Sequence, residues 1–345
     1  MKKLRLLLLP FSVLYGLVTA VRNVFYNKGI FSSVRFSVPV IAVGNLSTGG
    51  TGKTPQTEYL IRLLSPVYNV AVLSRGYGRK TNGYILANEN ANAHMLGDEP
   101  FQFYTKFKQH INVAVDANRV EGITNLLKLS PVPDVILLDD AYQHRKVQAG
   151  FYILLTAYGD IYADDFILPA GNLRESRAGA KRAGIIVVTK CPPNISAEEQ
   201  DAIKKRLNPE SGQKVFFSCI AYDDAVYSQS TTKNAAEIKS QPKVLVAGIA
   251  KPEPFYKHLQ QEGDVVKTYP DHHDFTETEI KELIQLSETK PIVTTEKDYM
   301  RLNGRVPQDR LFYLPIKSRF VNGSDDFDKT ILNYVERSTR NSRLH

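Results

Sequence analysis

Short, uniformly apolar runs alternate with helix-patterned stretches over the first two thirds of this sequence. Uniform apolarity is typical of strands that are buried on both faces of a parallel sheet by flanking helices. The pattern therefore predicts an α/β domain. The predicted strands are Phe36–Val43, Asn69–Leu73, Asn112–Ala114, Pro133–Leu138, Phe151–Thr156 and Gly184–Thr189.

The chain becomes more polar after Cys191, and a second, smaller α/β pattern begins near residue 242. Asp223–Ser240 is rich in Ser, Thr and Asn, and predicts a linker or an exposed hairpin. We expect four parts, which are an N-terminal helix at 1–30, a first α/β domain at 31–222, a linker or hairpin at 223–241, and a smaller C-terminal α/β domain at 242–345.

The N-terminal segment has its own periodicity. Lys2, Lys3 and Arg5 precede an uncharged stretch over residues 6–21, in which polar residues recur every three or four positions. This pattern predicts a helix that lies in a membrane interface, with its basic ends near anionic headgroups. A helix packed on the protein's own core, a spanning helix and a signal peptide are the alternatives. The polar stripe comprises Ser12, Tyr15, Gly16, Thr19, Arg22 and Asn23, and the apolar side comprises Phe11, Leu14, Leu17, Val18, Val21 and Phe25.

A glycine-rich loop follows the first predicted strand and precedes a helix-patterned stretch, Gln56–Leu64. Strand, glycine-rich loop, Gly-Lys-Thr and helix form the context of a P-loop, in which backbone N–H groups and the helix N-terminus bind phosphate. A plain Gly/Thr-rich turn is the alternative. The predicted nucleotide-binding residues are Ser47, Thr48, Gly49, Gly50, Thr51, Gly52, Lys53 and Thr54, with Ser47 where the usual motif has Gly.

Two carboxylates, Asp139 and Asp140, end the apolar strand Pro133–Leu138. Adjacent carboxylates repel one another unless a cation lies between them, so a divalent ion is their natural partner. In P-loop proteins an acid at this point supports Mg²⁺ together with the hydroxyl of the P-loop Thr. We therefore expect a nucleoside triphosphate with Mg²⁺, and Thr54, Asp139 and Asp140 at the metal; an ordinary Asp-rich turn is the alternative.

Other polar clusters follow strands or begin helices. Asp98 starts a predicted helix, where it is either a cap or a general base. Gln143 and His144 follow the strand that ends at Asp139, and Arg174 lies in a loop where it is suited to phosphate. Thr189 and Lys190 follow a further strand and are candidates for a contact with the nucleotide base.

The amino-acid composition restricts the kinds of molecule that the protein is expected to bind. The formal net charge is +8, which favours an anionic partner, but the basic residues are dispersed and no nucleic-acid-binding motif is present. Two cysteines, Cys191 and Cys219, favour a reducing compartment over a disulfide scaffold. We expect no nucleic acid and no obligate protein partner.

Five motifs in this order resemble the tetraacyldisaccharide 4'-kinases, which are membrane-associated kinases of lipid A biosynthesis. The motifs are Gly44–Thr54, Leu73–Gly78, Gly97–Pro100, Leu138–His144 and Pro169–Glu175. The resemblance implies a P-loop NTPase-type sheet with a second domain, and transfer of the ATP γ-phosphate to the 4'-hydroxyl of a tetraacyldisaccharide 1-phosphate. It also implies a location at the cytoplasmic face of the bacterial inner membrane, on an anionic surface.

The same resemblance assigns roles to individual residues. Asp98 is implied as the base, supported by His272, although the adjacent His273 leaves that choice open, and Lys53 is implied at the phosphates. The residues implied to contact substrate or phosphate are Arg119, Gln143, His144, Arg174 and Glu175. A P-loop regulatory GTPase or metallochaperone is the second hypothesis, but Thr189–Pro192 lacks the Asp of a guanine-binding motif.

Overall fold

Two β-sheets form the framework of the protein, which we describe from a computed structural model covering residues 2–271 and 273–343. The strands are β1 (Val40–Asn45), β2 (Val70–Ser74), β3 (Ile85–Leu86), β4 (Ile111–Val115), β5 (Val135–Leu138), β6 (Phe151–Ala157), β7 (Ile185–Thr189), β8 (Lys214–Tyr222), β9 (Ala225–Tyr227), β10 (Thr232–Asn234), β11 (Val244–Ala247), β12 (Val265–Thr268), β13 (Ile292–Thr294), β14 (Leu311–Tyr313) and β15 (Ile316–Phe320).

Helices connect most of these strands, and short 3₁₀ turns lie at Leu6–Leu8, Tyr162–Asp164 and Arg177–Arg182. The α-helices are α1 (Lys2–Arg5), α2 (Leu9–Asn27), α3 (Lys53–Leu64), α4 (Ala93–Leu96), α5 (Asp98–Phe107), α6 (Arg119–Leu126), α7 (Ala197–Leu207), α8 (Ala235–Ser240), α9 (Glu253–Leu259), α10 (Glu277–Ser287), α11 (Glu296–Leu302) and α12 (Ser324–Arg343).

The larger sheet has the strand order β15-β8-β7-β6-β1-β5-β2-β4-β3 over the described residues. Strands β8 to β4 of this order run parallel, while β15 and β3 pair antiparallel at the two edges. Strand β1 lies between β5 and β6, so the loop after β1 opens beside the loop after β5. The predicted α/β fold with a large parallel sheet is confirmed, and its topology brings the P-loop and Asp139 to one edge.

The smaller sheet has the order β10-β9-β14-β13-β11-β12. The polar stretch 223–240 supplies its hairpin β9–β10 and helix α8. The chain then returns to the first layer, because β15 pairs with β8 and α12 buries Phe327, Ile331 and Val335 in the core of the larger sheet. We expected residues 242–345 to form one C-terminal unit. In the structure, residues 316–343 pack with the first domain instead.

A buried group of charges joins the two α/β units. The Lys106 Nζ on α5 lies 2.7 Å from a Glu58 oxygen on α3 and 2.6 Å from a Glu296 oxygen on α11. Burial and the nearby Glu58 carboxylate raise the pKa of Glu296 to about 7. Lys106 thus contacts two buried carboxylates from different units, while Arg62 also pairs with Glu58, and the shared lysine couples the P-loop helix α3 to α11.

The N-terminal helix α2 packs with its polar stripe toward the protein. Ser12 is 5% exposed and Thr19 is 7% exposed, whereas Phe11 and Leu14 are each more than 60% exposed. The Ser12 hydroxyl accepts the Ala170 N–H at 2.9 Å. A soluble core helix has the opposite arrangement, so the apolar face of α2 is an exposed patch that needs a partner.

Candidate active site

The P-loop lies between β1 and α3, where the sequence predicts it. Gly49 and Gly52 have φ values of 106° and 80°, which are backbone conformations that favour glycine. Helix α3 begins at Lys53, directly after Gly52. The loop therefore presents the N-terminus of α3 and its partial positive charge at the mouth of the site.

Residues at the carboxyl end of β7 contact the P-loop backbone. The Thr189 hydroxyl donates to the Thr51 carbonyl at 2.7 Å, and the Lys190 ammonium donates to the Gly50 carbonyl at 2.5 Å. We predicted Thr189 and Lys190 as contacts for a nucleotide base, but both side chains contact the loop backbone here. They therefore act on the shape of the P-loop in this structure.

Asp139 lies at the end of β5, with only 5% of its surface exposed. The hydroxyls of Ser74 and Thr57 lie 3.2 Å and 3.5 Å from its two carboxylate oxygens. Burial, then the charges of Asp140 and Glu99, raise the pKa of Asp139 to about 6. This carboxylate is held in a fixed position at a cost that a bound cation would offset.

Asp140 connects the P-loop lysine to the loop that carries Arg174. Its two oxygens lie 3.8 Å from the Lys53 Nζ and 3.1 Å from an Arg174 guanidinium nitrogen. The same guanidinium group donates to the side chain of Asn45, at the end of β1. Asp140 has φ of 45°, in the left-handed region, where the backbone turns sharply after the strand. Two cations and two carboxylates thus meet at one point.

The donor set at this point fits a hard divalent cation. Asp139 and Asp140 offer carboxylate oxygen atoms, which Mg²⁺ prefers, and Thr54 follows Lys53 at the start of α3. Among the residues that the structure describes, no group of three or more His, Cys, Asp or Glu side chains is placed to hold a metal ion. An ion here would complete its coordination with phosphate oxygens and water, as Mg²⁺ does in nucleotide sites.

Arg119 is buried beside Asp139, and His144 is half-buried near Arg119. Arg119 is 2% exposed and donates to the backbone carbonyls of Asp116 and, at 3.5 Å, Asp139. Burial lowers the pKa of the Arg119 guanidinium to about 10. Burial, followed by the charge of Arg119, lowers the pKa of His144 to about 4, so this imidazole is neutral at pH 7.

Glu175 is fully buried and connects the site to the N-terminal helix. Arg182 donates to both of its oxygens at 2.8 Å and 3.0 Å, and the Asn23 amide of α2 donates at 2.7 Å. The Gln143 amide donates to Glu175 at 3.1 Å and to the Asn45 carbonyl at 2.8 Å. Because Glu175 has no exposed surface, its place in this structure is that of a positioning residue for Gln143 and α2.

Asp98 begins α5 and faces the second α/β unit. Its carboxylate forms an ion pair with Arg301 of α11, and the neighbouring Glu99 lies 3.1 Å from Lys297. The predicted partner His272 lies outside the described residues. The His273 Nε2 lies 2.9 Å from Glu279, while its backbone carbonyl accepts from Arg301 at 3.5 Å. His273 is thus close to the Arg301–Asp98 pair.

An apolar crevice of about 540 Å³ lies between α2 and the loop at 165–178. It opens beside the exposed apolar face of α2, and the loop that forms its other wall also carries Arg174. The crevice is therefore suited to hydrocarbon close to a polar site. Its apolar lining includes Leu9, Val13, Phe166, Ile167 and Leu173.

A family model described as tetraacyldisaccharide-1-P 4'-kinase matches residues 4–336. The chain belongs to this family. It is 57% identical to the tetraacyldisaccharide 4'-kinase of Flavobacterium johnsoniae over 97% of this chain and 98% of that protein. It is 43% identical to the enzyme of the same name from Bacteroides thetaiotaomicron, over 97% and 94% of the two chains.

A solved member of the kinase family has the same fold. The crystal structure of LpxK from Aquifex aeolicus, described as an apo form in complex with ATP, superposes with a TM-score of 0.77. The two sequences are 31% identical, and the match covers 96% of this chain and 99% of that one. Both the family resemblance and the predicted α/β architecture are therefore confirmed.

Several residues of this kinase site were not predicted. Ser74 lies in the motif Leu73–Gly78, so a polar side chain at the end of β2 could have marked it. Arg182 and Arg301 carry no local signal, because each acts through an ion pair that only the folded chain forms.

We predict that Asp139→Asn stabilises the metal-free protein while it removes most of the kinase activity. The native pKa of about 6 exceeds the ordinary carboxyl value of 3.8, so the stability linked to Asp139 is fully present below pH 3.8 and is lost as the pH rises through 6. Asn carries no charge at any pH, so the free energy of unfolding at pH 8 should rise by on the order of 1–3 kcal/mol.

Urea unfolding in EDTA at pH 8 and pH 4 measures this difference, which should shrink at the lower pH. Asp160→Asn, at an exposed carboxylate, is the matched control and should change neither stability nor activity. A destabilised Asp139→Asn protein at pH 8 would contradict this description of the carboxylate.

Proposed function

We propose that the protein transfers the γ-phosphate of ATP to the 4'-hydroxyl of a tetraacyldisaccharide 1-phosphate, which is the step that forms lipid IVA in lipid A biosynthesis. The observation that carries this proposal is the cluster of Lys53, Asp139, Asp140 and Arg174 at the P-loop, beside a helix with an exposed apolar face. Membership of the kinase family agrees with it.

The phosphate side of the reaction depends on positive charge. Lys53 and Arg174, both paired with Asp140, are placed to exchange that carboxylate for phosphate oxygens, and Arg174 can form two parallel hydrogen bonds. The P-loop amides bind the triphosphate from the other side. Mg²⁺, held by Thr54, Asp139 and Asp140, would neutralise charge on the phosphates when bound.

The acceptor side depends on a base. In our proposal Asp98 takes the proton of the 4'-hydroxyl as the oxygen–phosphorus bond forms and the bond from the γ-phosphorus to the bridging oxygen breaks, so that ADP leaves. Arg301 holds the Asp98 carboxylate, and His272 remains the predicted partner. The charge of Glu99, which is next to Asp98, contributes to the raised pKa of Asp139, and this supports a position of Asp98 near the metal-binding carboxylates.

The membrane side of the proposal depends on α2. The segment Leu6–Asn27 is long and apolar enough to cross a bilayer, yet its polar stripe is hydrogen-bonded to the protein. We propose that the helix lies in the interface with its apolar face in the acyl layer. ATP is available in the cytoplasm, so the cytoplasmic face of the inner membrane is the expected location.

A regulatory GTPase is not favoured. Its guanine-binding motif would lie at the end of a core strand. The residues at the end of β7 that resemble that motif most, Thr189 and Lys190, contact the P-loop backbone instead.

Asp98→Asn should lower kcat by about 10²–10⁴ while the dissociation constant for ATP stays near the wild-type value, because only the proton acceptor is lost. The measurement is turnover of ATP with the acylated disaccharide 1-phosphate in mixed micelles, together with equilibrium binding of ATP.

Glu99→Gln is the matched control, because it removes an ion pair between the same two helices, Glu99–Lys297. It should cost less than about tenfold, as expected for a partly exposed pair. Equal losses in the two variants would remove Asp98 from the chemistry.

Leu14→Glu combined with Leu17→Glu should reduce binding to phospholipid vesicles by about tenfold or more, because both side chains are over half exposed and would lose burial in the bilayer. Sedimentation with vesicles measures the bound fraction. Val67→Glu, at an exposed apolar position far from α2 in sequence, should leave binding unchanged. Full vesicle binding by the double variant would contradict the interfacial role.

A further inference from the structure

The side chains at the carboxyl end of β7 bond to carbonyl groups of the P-loop and not to its N–H groups. The Thr189 hydroxyl donates to the Thr51 carbonyl at 2.7 Å, and the Lys190 ammonium donates to the Gly50 carbonyl at 2.5 Å. A P-loop binds phosphate through its N–H groups. These two contacts therefore leave the phosphate-binding face of the loop open.

Peptide geometry links each bonded carbonyl to an N–H group on the other side of the loop. In a trans peptide unit the C=O and the following N–H point in opposite directions, and the cis bonds of the described chain precede only Pro131 and Pro169. A donor that fixes the Thr51 carbonyl therefore also fixes the direction of the Gly52 N–H. Within the described residues no backbone acceptor bonds this N–H, so it is available to a phosphate oxygen.

Lys190 acts in the same way on the preceding peptide unit, whose N–H belongs to Thr51. That N–H lies 3.1 Å from the Gly49 carbonyl, only two residues away, and so closes a tight turn. Lys190 itself has φ of 59°, in the left-handed region that residues other than glycine rarely adopt. Such backbone strain is concentrated at functional sites, and here it accompanies the contact of the ammonium with the loop.

Thr189 has a fixed position next to the loop. It is 3% exposed, and the parallel pairing of β7 with β6 includes it. A Cβ atom added at Gly52 would lie 3.5 Å from Thr189 Oγ1, so the loop backbone packs directly against this side chain. The Asn45 amide of β1 donates to the Ser47 carbonyl at 2.7 Å, so donors from two strands bond the carbonyls of the loop.

We propose that Thr189 and Lys190 are positioning residues of the phosphate site, which hold the P-loop N–H groups in the direction that the α- and β-phosphates require. This inference rests on the proposed function, because it takes the loop as the ATP site. The two side chains act through the loop backbone and contact neither the base nor the phosphates.

The test is equilibrium binding of ATP, ADP and inorganic tripolyphosphate to the full chain with Mg²⁺. Thr189→Val keeps the shape of the side chain but loses the hydroxyl, and Lys190→Met loses the ammonium donor. Each should raise the dissociation constants for ATP and ADP by the same factor, about fivefold, because the loop amides contact phosphates that both nucleotides share. The loss should be the same for tripolyphosphate, because no base contact is involved.

Three further observations separate positioning from a general structural effect. Thr189→Ser retains the hydroxyl and should restore wild-type binding. In Thr189→Val the kcat at saturating ATP should stay near the wild-type value, because the reacting groups are unchanged. Lys205→Met removes the same charge from an exposed position on α7 and should change none of the dissociation constants. Lys190 is exposed, so Lys190→Met decides the matter if Thr189→Val does not fold.

Wild-type dissociation constants in both Thr189→Val and Lys190→Met would overturn the inference. A loss for ATP with none for ADP would place Lys190 at the γ-phosphate, and a loss for ATP with none for tripolyphosphate would indicate a base contact; either result would also overturn it. A wild-type protein that binds neither ATP nor ADP would refute the proposed function, and this inference with it.

Discussion

Negative charge at the carboxyl end of β5 is the constraint on which the site depends. Asp139 is buried and Asp140 is its neighbour, so the two charges must be balanced within a few ångströms. Lys53 and Arg174 balance them in this structure, and both are also suited to phosphate. Lys53 and Arg174 thus stabilise the site when no nucleotide is bound. When a nucleotide binds, these two cations would exchange Asp140 for phosphate oxygens.

Two distant elements are tied to this point by polar contacts. Asn23 of α2 and Gln143 both donate hydrogen bonds to the Glu175 carboxylate. This shared acceptor fixes the position of α2, which carries the exposed apolar face, relative to the loop after β5. Arg301 brings the second α/β unit to Asp98. Helix α2 and the second unit therefore both position groups around one small volume, which is the arrangement that the proposed transfer to a lipid acceptor requires.

Local sequence patterns predicted the elements that depend on local physics. The glycines of the P-loop, the apolar strand ending in Asp139 and the polar stripe of α2 are all set by neighbours in sequence, and the structure has each of them. The return of β15 and α12 to the first sheet was not predicted, because antiparallel pairing with β8 leaves no local signal. Arg182 and Arg301 were missed for the same reason, since their partners are set by the fold.

The most direct measurement is incubation of the purified wild-type protein with ATP, Mg²⁺ and a monophosphorylated tetraacyldisaccharide, followed by mass spectrometry and phosphorus NMR of the lipid. We expect one added phosphate, as a second phosphomonoester at the 4'-position, with one ADP formed for each product. ATP hydrolysis without phosphorylated lipid, or a phosphate at another hydroxyl, would contradict the account.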